Sequence, residues 1–225
     1  MTPRTLAPAF ILALALALAA CGPADAGNSA AAPAEPAQNP LSIVPTGFND
    51  LLRDPGVPFI GAAEADVTII SFIDYNCPYC KQMQPDLTAL VQTDPKVRIL
   101  YKEWPIFGAP SQLAARTAIA AQFQGKYEAV HNAFMGSPTP ISGEADVERL
   151  ARSAGVDMAR LEQDMTAHAA DIDAVLERVS AEATAMALRG TPAFSINGQM
   201  IPGALPPGQL AVVVGQIRSA QGGAR

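Results

Sequence analysis

The chain has 225 residues and a formal net charge of −6 at pH 7, and its length suits one domain or one domain with an insertion. Acidic residues outnumber basic ones by 21 to 15 and no basic cluster offsets them, so nucleic acid is not an expected partner. Only two of the three cysteines lie beyond the N-terminal segment, too few for the disulfide framework of a small secreted protein.

The N-terminus has the pattern of an export signal. Arg4 precedes an apolar run over residues 6–20 that ends at Cys21. The run contains Pro8 and is shorter than the roughly 20 apolar residues that span a bilayer, so it predicts a removable signal peptide over residues 1–20 rather than an anchor helix. No later segment of the sequence is long and apolar enough to span. Removing Arg4 with the signal leaves a net charge of −7.

The signal ends in Leu-Ala-Ala-Cys, which resembles the lipobox of bacterial lipoproteins. This resemblance implies that Cys21 becomes the first mature residue and carries lipid. The expected location is the periplasm or cell envelope, at the outer membrane if the cell is Gram-negative, because Gly22 follows the cysteine. Ordinary cleavage after Ala26 is the alternative and also exports the protein. Residues 21–40 are rich in Ala, Pro and small polar residues, typical of a flexible tether to a domain over residues 41–225.

The first strong strand pattern leads directly into a pair of cysteines. Residues 67–73 are apolar and β-branched, typical of a strand buried on both faces. Cys77-Pro78-Tyr79-Cys80 follows. Pro78 suits the first turn of a helix, and apolar residues then repeat at helical spacing until residues 93–95. Cys77 is therefore predicted to lie at the N-terminus of a helix.

Three roles are open to Cys77 and Cys80. A structural disulfide across so short a loop adds little stability, because the entropic benefit grows with loop length. A zinc site needs two further ligands, and His131 and His168 lack the usual close spacing; both are interpreted as surface or packing residues. We favour a redox pair, because a helix N-terminus stabilises a thiolate. Cys77 is then expected to be exposed with a low pKa, and Cys80 to be more shielded.

The remaining patterns complete a mixed α/β order. A second strand over residues 97–103 predicts a parallel β-α-β unit with the first strand. In the turn that follows, Trp104 and Phe107 are expected to pack beneath helices. A hairpin turn at Asn197-Gly198 precedes the last helix. The predicted helices cover residues 111–123, 127–135, 145–154, 158–167, 172–188 and 207–217, and the hairpin strands cover residues 193–196 and 199–201.

Four motifs, in this order, resemble those of DsbA-like members of the thioredoxin superfamily. They are DYNCPYCK, VRILYKEWPIFG, QGKYEAVHNAFM and GTPAFSINGQMIPG. The resemblance implies an α/β, thioredoxin-like fold, in which a central mixed sheet is flanked by helices and a helical domain is inserted at about residues 110–185. It also implies that Thr191-Pro192 forms a cis-proline loop facing the cysteines, and that the Thr191 backbone pairs with an extended substrate peptide beside Cys77.

Two positions depart from the strongly oxidising relatives. The dipeptide Pro78-Tyr79 lacks their histidine before the second cysteine, so it does not fix the direction of electron flow. Ser71 stands where many relatives carry a buried acid that helps protons reach the second cysteine, and Glu103 or Lys102 on the neighbouring strand is the candidate replacement.

Two residues inside the motif have competing interpretations. Tyr79 is expected to be exposed beside Cys77, where it contacts substrate or is a neutral surface residue. Lys81 either lowers the pKa of Cys77 by proximity or, as we favour, is solvated on the helix surface.

The resemblance implies a thiol:disulfide oxidoreductase that forms, isomerises or reduces disulfides in exported proteins, with oxidation favoured. Cys77 is the expected nucleophile and Cys80 the resolving thiol, and no metal or cofactor beyond their redox-active disulfide is expected. The expected partners are exported proteins with cysteines, a DsbB-like or DsbD-like membrane redox protein, and the membrane through the lipid anchor. A non-catalytic thioredoxin-fold binding protein, chaperone-like or copper-binding, is the alternative.

Overall fold

The computed structural model describes residues 47–222. The predicted signal peptide, Cys21 and the tether lie outside these residues and stay predictions. The described elements in chain order are α1 (Phe48–Leu52), β1 (Phe59–Gly61), β2 (Val67–Ile73), α2 (Pro78–Thr93), β3 (Val97–Glu103), α3 (Ala109–Ala120) with a 3₁₀ turn (Ala121–Gln124), α4 (Tyr127–Met135), α5 (Glu144–Ser153), α6 (Met158–Ala167), α7 (Ala169–Ala185), β4 (Ala193–Ile196), β5 (Gln199–Pro202) and α8 (Gln209–Gly222).

The five described strands form one mixed sheet in the order β1-β3-β2-β4-β5. The strands β2 and β3 are parallel, as predicted, and the other three pairs are antiparallel. Every residue of β2 is buried, which confirms that this strand is covered on both faces. The fold is thioredoxin-like, as the resemblance implied. The short elements α1 and β1 were not predicted.

The register between β2 and β3 assigns their side chains to two faces. Ser71 lies opposite Tyr101 and Ile73 opposite Glu103, and these residues face α2 and α4, since the Tyr101 and His131 rings are 4.0 Å apart. The intervening residue, Lys102, points to the other face because side chains alternate along a strand.

Lys102 belongs to a buried ion-pair cluster on that other face. Its Nζ lies 2.7 Å from Asp54 Oδ2 and 2.8 Å from Glu182 Oε2, and the lysine side chain is fully buried. Arg178 adds a second cation 2.7 Å from Asp54. Lys102 therefore ties β3 to α7 and to the segment after α1. It does not lie on the face that α2 covers, so it is not a candidate proton donor for Cys80.

Five helices, α3 to α7, lie between β3 and β4. Of the predicted helices, 127–135 and 158–167 match α4 and α6 at both ends, whereas α7 begins and ends three residues earlier than predicted. The C-terminal carbonyl end of α4 and the connection to α5 pack beside the start of α2. Within residues 47–222, no helix has the length and apolar character needed to cross a membrane.

Candidate active site

The two cysteines lie where β2 passes into α2. Cys77 is the N-cap of α2 in an extended conformation, and the helix begins at Pro78, which confirms the predicted position. The Cys77 amide donates to the Asp74 carbonyl at 3.1 Å, and the Lys81 amide donates to the Cys77 carbonyl at 3.2 Å. Both cysteines are free thiols in the structure, so it represents the reduced form of the pair.

The surroundings shift the pKa values of the two thiols in opposite directions. The side-chain hydrogen bond from Cys80 is the largest cause that lowers the pKa of Cys77, to about 6, although burial opposes it. The Thr191 side chain and the backbone N–H groups of Cys80 and Tyr79 lower it further. Burial raises the pKa of Cys80 far above its ordinary value, and the hydrogen bond to Cys77 adds to that increase. The donors converge because unpaired amides are available at a helix N-terminus.

Cys77 is not exposed, contrary to the expectation from sequence. It retains 1% of its accessible surface, against 2% for Cys80. The loop at Thr191 covers its sulfur, and Cys77 Sγ lies 3.1 Å from the Thr191 carbonyl oxygen. That bond favours the protonated thiol, so the thiolate is stabilised by the other donors in spite of it. The two side chains thus have nearly equal accessible surface, and the pKa values differ because hydrogen bonds dominate at Cys77 whereas burial dominates at Cys80.

The Thr191–Pro192 peptide bond is cis, as the resemblance implied. Pro192 is buried, and its carbonyl accepts from the Gly203 amide at 3.0 Å, which fixes the loop to the end of the hairpin. The loop therefore presents the Thr191 backbone directly to Cys77.

An open groove of about 540 Å³ borders the cis-proline loop. Its walls come from the segment after α7, the loop itself and the β4–β5 hairpin, where Met200 is 40% exposed. Tyr79, inside the cysteine motif, is 60% exposed, as predicted, and Phe107 is 50% exposed. The expected packing of Phe107 beneath the helices was wrong, and its backbone amide donates to Asp74 Oδ2 at 2.9 Å.

Ser71 is fully buried, and its hydroxyl has no hydrogen-bond partner among the described residues. The acid on this face of the sheet is Glu103. Its Oε1 accepts from the hydroxyls of Tyr75 at 2.7 Å and Tyr127 at 2.8 Å, whereas Oε2 has no partner within the described chain. Burial raises the pKa of Glu103 to about 8, and the two tyrosine hydrogen bonds only partly oppose it.

The two tyrosines also contact His131, which in turn contacts the active-site helix. His131 Nδ1 lies 3.1 Å from the Tyr75 hydroxyl, and Nε2 lies 3.1 Å from Gln84 Oε1 on α2. Burial lowers the pKa of His131 to about 3, so the ring is neutral. We call Tyr75, Gln84, Glu103, Tyr127 and His131 the Glu103 cluster. His131 is therefore a buried packing residue. His168 stacks on Phe123, and the two ring centroids are 3.8 Å apart.

Sequence reasoning missed the residues that surround the pair. Lys81 is neither solvated nor directed at Cys77, because its Nζ donates to the Phe134 carbonyl at 2.7 Å and the Ser137 carbonyl at 3.1 Å. Asp74 is buried and accepts from the Ser111 hydroxyl and the Asn76 amide, both at 2.7 Å. The signal that could have identified Asp74 is the polar tripeptide Asp-Tyr-Asn, which directly follows a buried strand.

Comparisons with known proteins agree with this geometry. Residues 68–214 match the family model of the DSBA-like thioredoxin domain. A thioredoxin-like oxidoreductase from Silicibacter pomeroyi is 41% identical, with a TM-score of 0.71 over 76% of this chain and 98% of that one. A periplasmic thioredoxin-like protein from Salmonella enterica serovar Typhimurium is 31% identical, with a TM-score of 0.63 over 74% of this chain and 92% of that one.

A curated relative matches part of the chain. The Na(+)/H(+) antiporter NhaA 3 of Salinispora tropica is 29% identical over 147 residues, which are 62% of this chain but 21% of the antiporter. The chain thus spans about a fifth of the length of the curated relatives it matches. The family match over residues 68–214 shows that the chain belongs to the DsbA-like thioredoxin-domain family.

Proposed function

We propose that the protein is an extracytoplasmic thiol:disulfide oxidoreductase that acts on exported proteins through Cys77 and Cys80. The observation that carries the proposal is the position of Cys77 at the N-cap of α2, where its Sγ lies 3.1 Å from the carbonyl oxygen of the cis-proline loop, with Cys80 buried in the first turn of the helix. The lowered pKa of Cys77 and the raised pKa of Cys80 agree with this geometry. A low-pKa thiolate is both a good leaving group and largely ionised at neutral pH.

In the oxidising direction, a substrate thiolate attacks Cys77 Sγ of the Cys77–Cys80 disulfide. The sulfur–sulfur bond breaks, and Cys80 leaves as a thiolate and takes up a proton. A second substrate thiolate then attacks the substrate sulfur of the mixed disulfide and expels the Cys77 thiolate. Two electrons pass from the substrate dithiol to the protein. The low pKa of Cys77 favours this direction, because it stabilises the reduced product.

The reverse direction uses the same atoms. The Cys77 thiolate attacks a substrate disulfide, and Cys80 loses its proton and resolves the mixed disulfide. A membrane redox partner recharges the pair in either case, DsbB-like if it accepts electrons and DsbD-like if it supplies them. No metal or bound cofactor takes part in these steps.

The apolar surface beside the pair suits an extended peptide. The groove beside the cis-proline loop has the exposed Met200 on its wall, and Tyr79 and Phe107 are exposed as well. The Thr191 backbone, which lies beside Cys77, is placed to pair with a peptide by strand addition. We propose that these residues bind unfolded segments of exported proteins around a cysteine.

The proposed location follows from the signal pattern and the predicted lipidation of Cys21. The description of the Salmonella relative as periplasmic supports an extracytoplasmic site. The tether over residues 21–40 then allows the domain to act near the membrane that holds its lipid.

Trapping tests the function. Cys80→Ala is expected to accumulate mixed disulfides with exported proteins, whereas Cys77→Ala abolishes both trapping and exchange. Exchange with a peptide disulfide, measured with and without a chelator, separates the enzyme from a binding protein. A wild-type protein that binds peptides or copper without turning over disulfides contradicts the proposal.

A further inference from the structure

Two residues that flank the cysteine motif bind the same segment of the helical insertion. We call this segment, residues 134–141, the α4 exit; it comprises the last two residues of α4 and the connection that follows. Asn76, directly before Cys77, donates from Nδ2 to the Ile141 carbonyl at 3.0 Å and accepts from the Ile141 amide at 2.7 Å. The amide side chain thus pairs with the backbone at two points, as a neighbouring strand would.

Lys81, directly after Cys80, binds the other end of the α4 exit. Its Nζ donates to the carbonyls of Phe134 at 2.7 Å, Ser137 at 3.1 Å and Met135 at 3.5 Å. The final carbonyls of a helix have no partner within the helix, and the dipole places negative charge there. The Lys81 ammonium group donates to these carbonyls and carries the positive charge that the negative end of the dipole favours, so the contact is charge-assisted.

These two anchors enclose one turn of backbone. The Cys77 amide is bonded to the Asp74 carbonyl before the turn, and the Lys81 amide is bonded to the Cys77 carbonyl after it. Between them lie the backbone N–H groups of Tyr79 and Cys80, which help to lower the pKa of Cys77. The direction in which these N–H groups point therefore depends on a turn fixed at both ends to the insertion.

We propose that Asn76 and Lys81 are positioning residues that set the stability of the Cys77 thiolate through the α4 exit. The inference rests on the proposed function, in which that thiolate is the leaving group. Through these contacts, the helical insertion influences the redox equilibrium of the cysteine pair, although both cysteines lie outside the insertion. Neither residue needs to touch the thiolate, since both act on the turn that carries its donors.

The test uses Asn76→Ala and Lys81→Met, with Lys96→Met as the matched control. Lys96 is exposed and lies beyond the opposite end of α2, so its loss removes the same charge without an anchor. The pKa of Cys77 is read from thiolate absorbance near 240 nm in a Cys80→Ala background, and the equilibrium with glutathione is measured with both cysteines present. Each anchor variant is expected to raise the pKa by about one unit, a tenfold weaker thiolate stabilisation. The glutathione equilibrium should move toward the disulfide form.

Asn76→Ala separates positioning from charge, because it changes no charge. If Lys81→Met alone raises the pKa and the effect fades with salt, Lys81 acts as a through-space charge and the inference is overturned. Unchanged pKa values in both variants overturn it as well. Should Lys81→Met fail to fold, Lys81→Gln keeps a donor for one carbonyl and is expected to give a smaller increase. The pKa is measured without turnover, so a protein that lacks exchange activity refutes the function and leaves this readout intact.

Discussion

Replacing Glu103 by glutamine should make the protein more stable at alkaline pH. The carboxyl is fully buried, and burial raises its pKa from an ordinary 4.5 to about 8. The hydrogen bonds around it agree with a neutral acid. The Tyr75 and Tyr127 hydroxyls have one proton each, yet they lie within reach of both Glu103 Oε1 and His131 Nδ1. Glu103 Oε2 has no hydrogen-bond donor among the described residues, so the surroundings stabilise a carboxylate poorly.

The size of the effect follows from the two pKa values. Between pH 4.5 and 8 the folded protein holds a proton on Glu103 that the unfolded chain has released, so stability is lost as the pH rises through this window. Each pH unit in this window costs about 1.4 kcal/mol, and the loss of stability accumulates to roughly 5 kcal/mol by pH 9. Glutamine resembles the protonated acid in shape and does not ionise, so Glu103→Gln avoids this loss.

The assay is urea unfolding of the oxidised protein at a series of pH values, because the disulfide removes the titration of both thiols. The free energy of unfolding of Glu103→Gln minus that of the wild type should be small at pH 5 and increase up to pH 8. Glu128→Gln, an exposed residue on α4 beside Tyr127, controls for the loss of one carboxylate. A difference that is flat with pH, or that favours the wild type at pH 8, refutes the buried neutral acid.

Four further predictions concern the reduction potential, the reactivity of the two thiols, the acid side of stability and the N-terminus. The reduction potential should lie between about −270 and −120 mV in glutathione buffers, with Tyr79→His raising it, and a value at or below −270 mV would indicate a reductase. Iodoacetamide should label Cys77 before Cys80 near pH 6, and the opposite order contradicts the assignment. Because the folded pKa of His131 is depressed to about 3, stability should be lost as the pH falls below 6.5, and His131→Gln should lessen that loss in acid unfolding. Mass spectrometry should find a lipid-modified N-terminus at Cys21, and an unmodified start at Gly27 would support ordinary cleavage instead.

The elements with strong local patterns were predictable, and those without them were not. The strands β2 and β3 match the predicted residues because each is a run of apolar or β-branched residues between clear breaks. The elements α1 and β1 have five and three residues, too few to show a period. The helix α7 ends early because Ala187 adopts a positive φ of 53°, a conformation that alanine gives no reason to expect.

Within the site, the chemistry was predictable from the motif but the geometry was not. A proline after Cys77 predicts a helix N-terminus, whose backbone N–H groups contribute to stabilising the thiolate. The burial of Cys77 depends on Thr191, which is 114 residues away in sequence. The role of Lys81 depends on carbonyls 53 to 56 residues away. Contacts between residues so far apart in sequence produce no periodic pattern near either residue, so they cannot be predicted from local sequence.

The tripeptide before Cys77 shows how these distant contacts are organised. Asp74 holds the loop after β3 through the Phe107 amide, Tyr75 binds Glu103 on β3, and Asn76 pairs with Ile141 in the insertion. Three consecutive residues thus fix the start of the motif to three separate parts of the fold. Because backbone groups of Tyr79 and Cys80 contribute to stabilising the Cys77 thiolate, the pKa of Cys77 depends in part on the direction of that backbone. A chain that kept Cys-Pro-Tyr-Cys but lost the tripeptide would retain both sulfurs without the geometry that makes them differ.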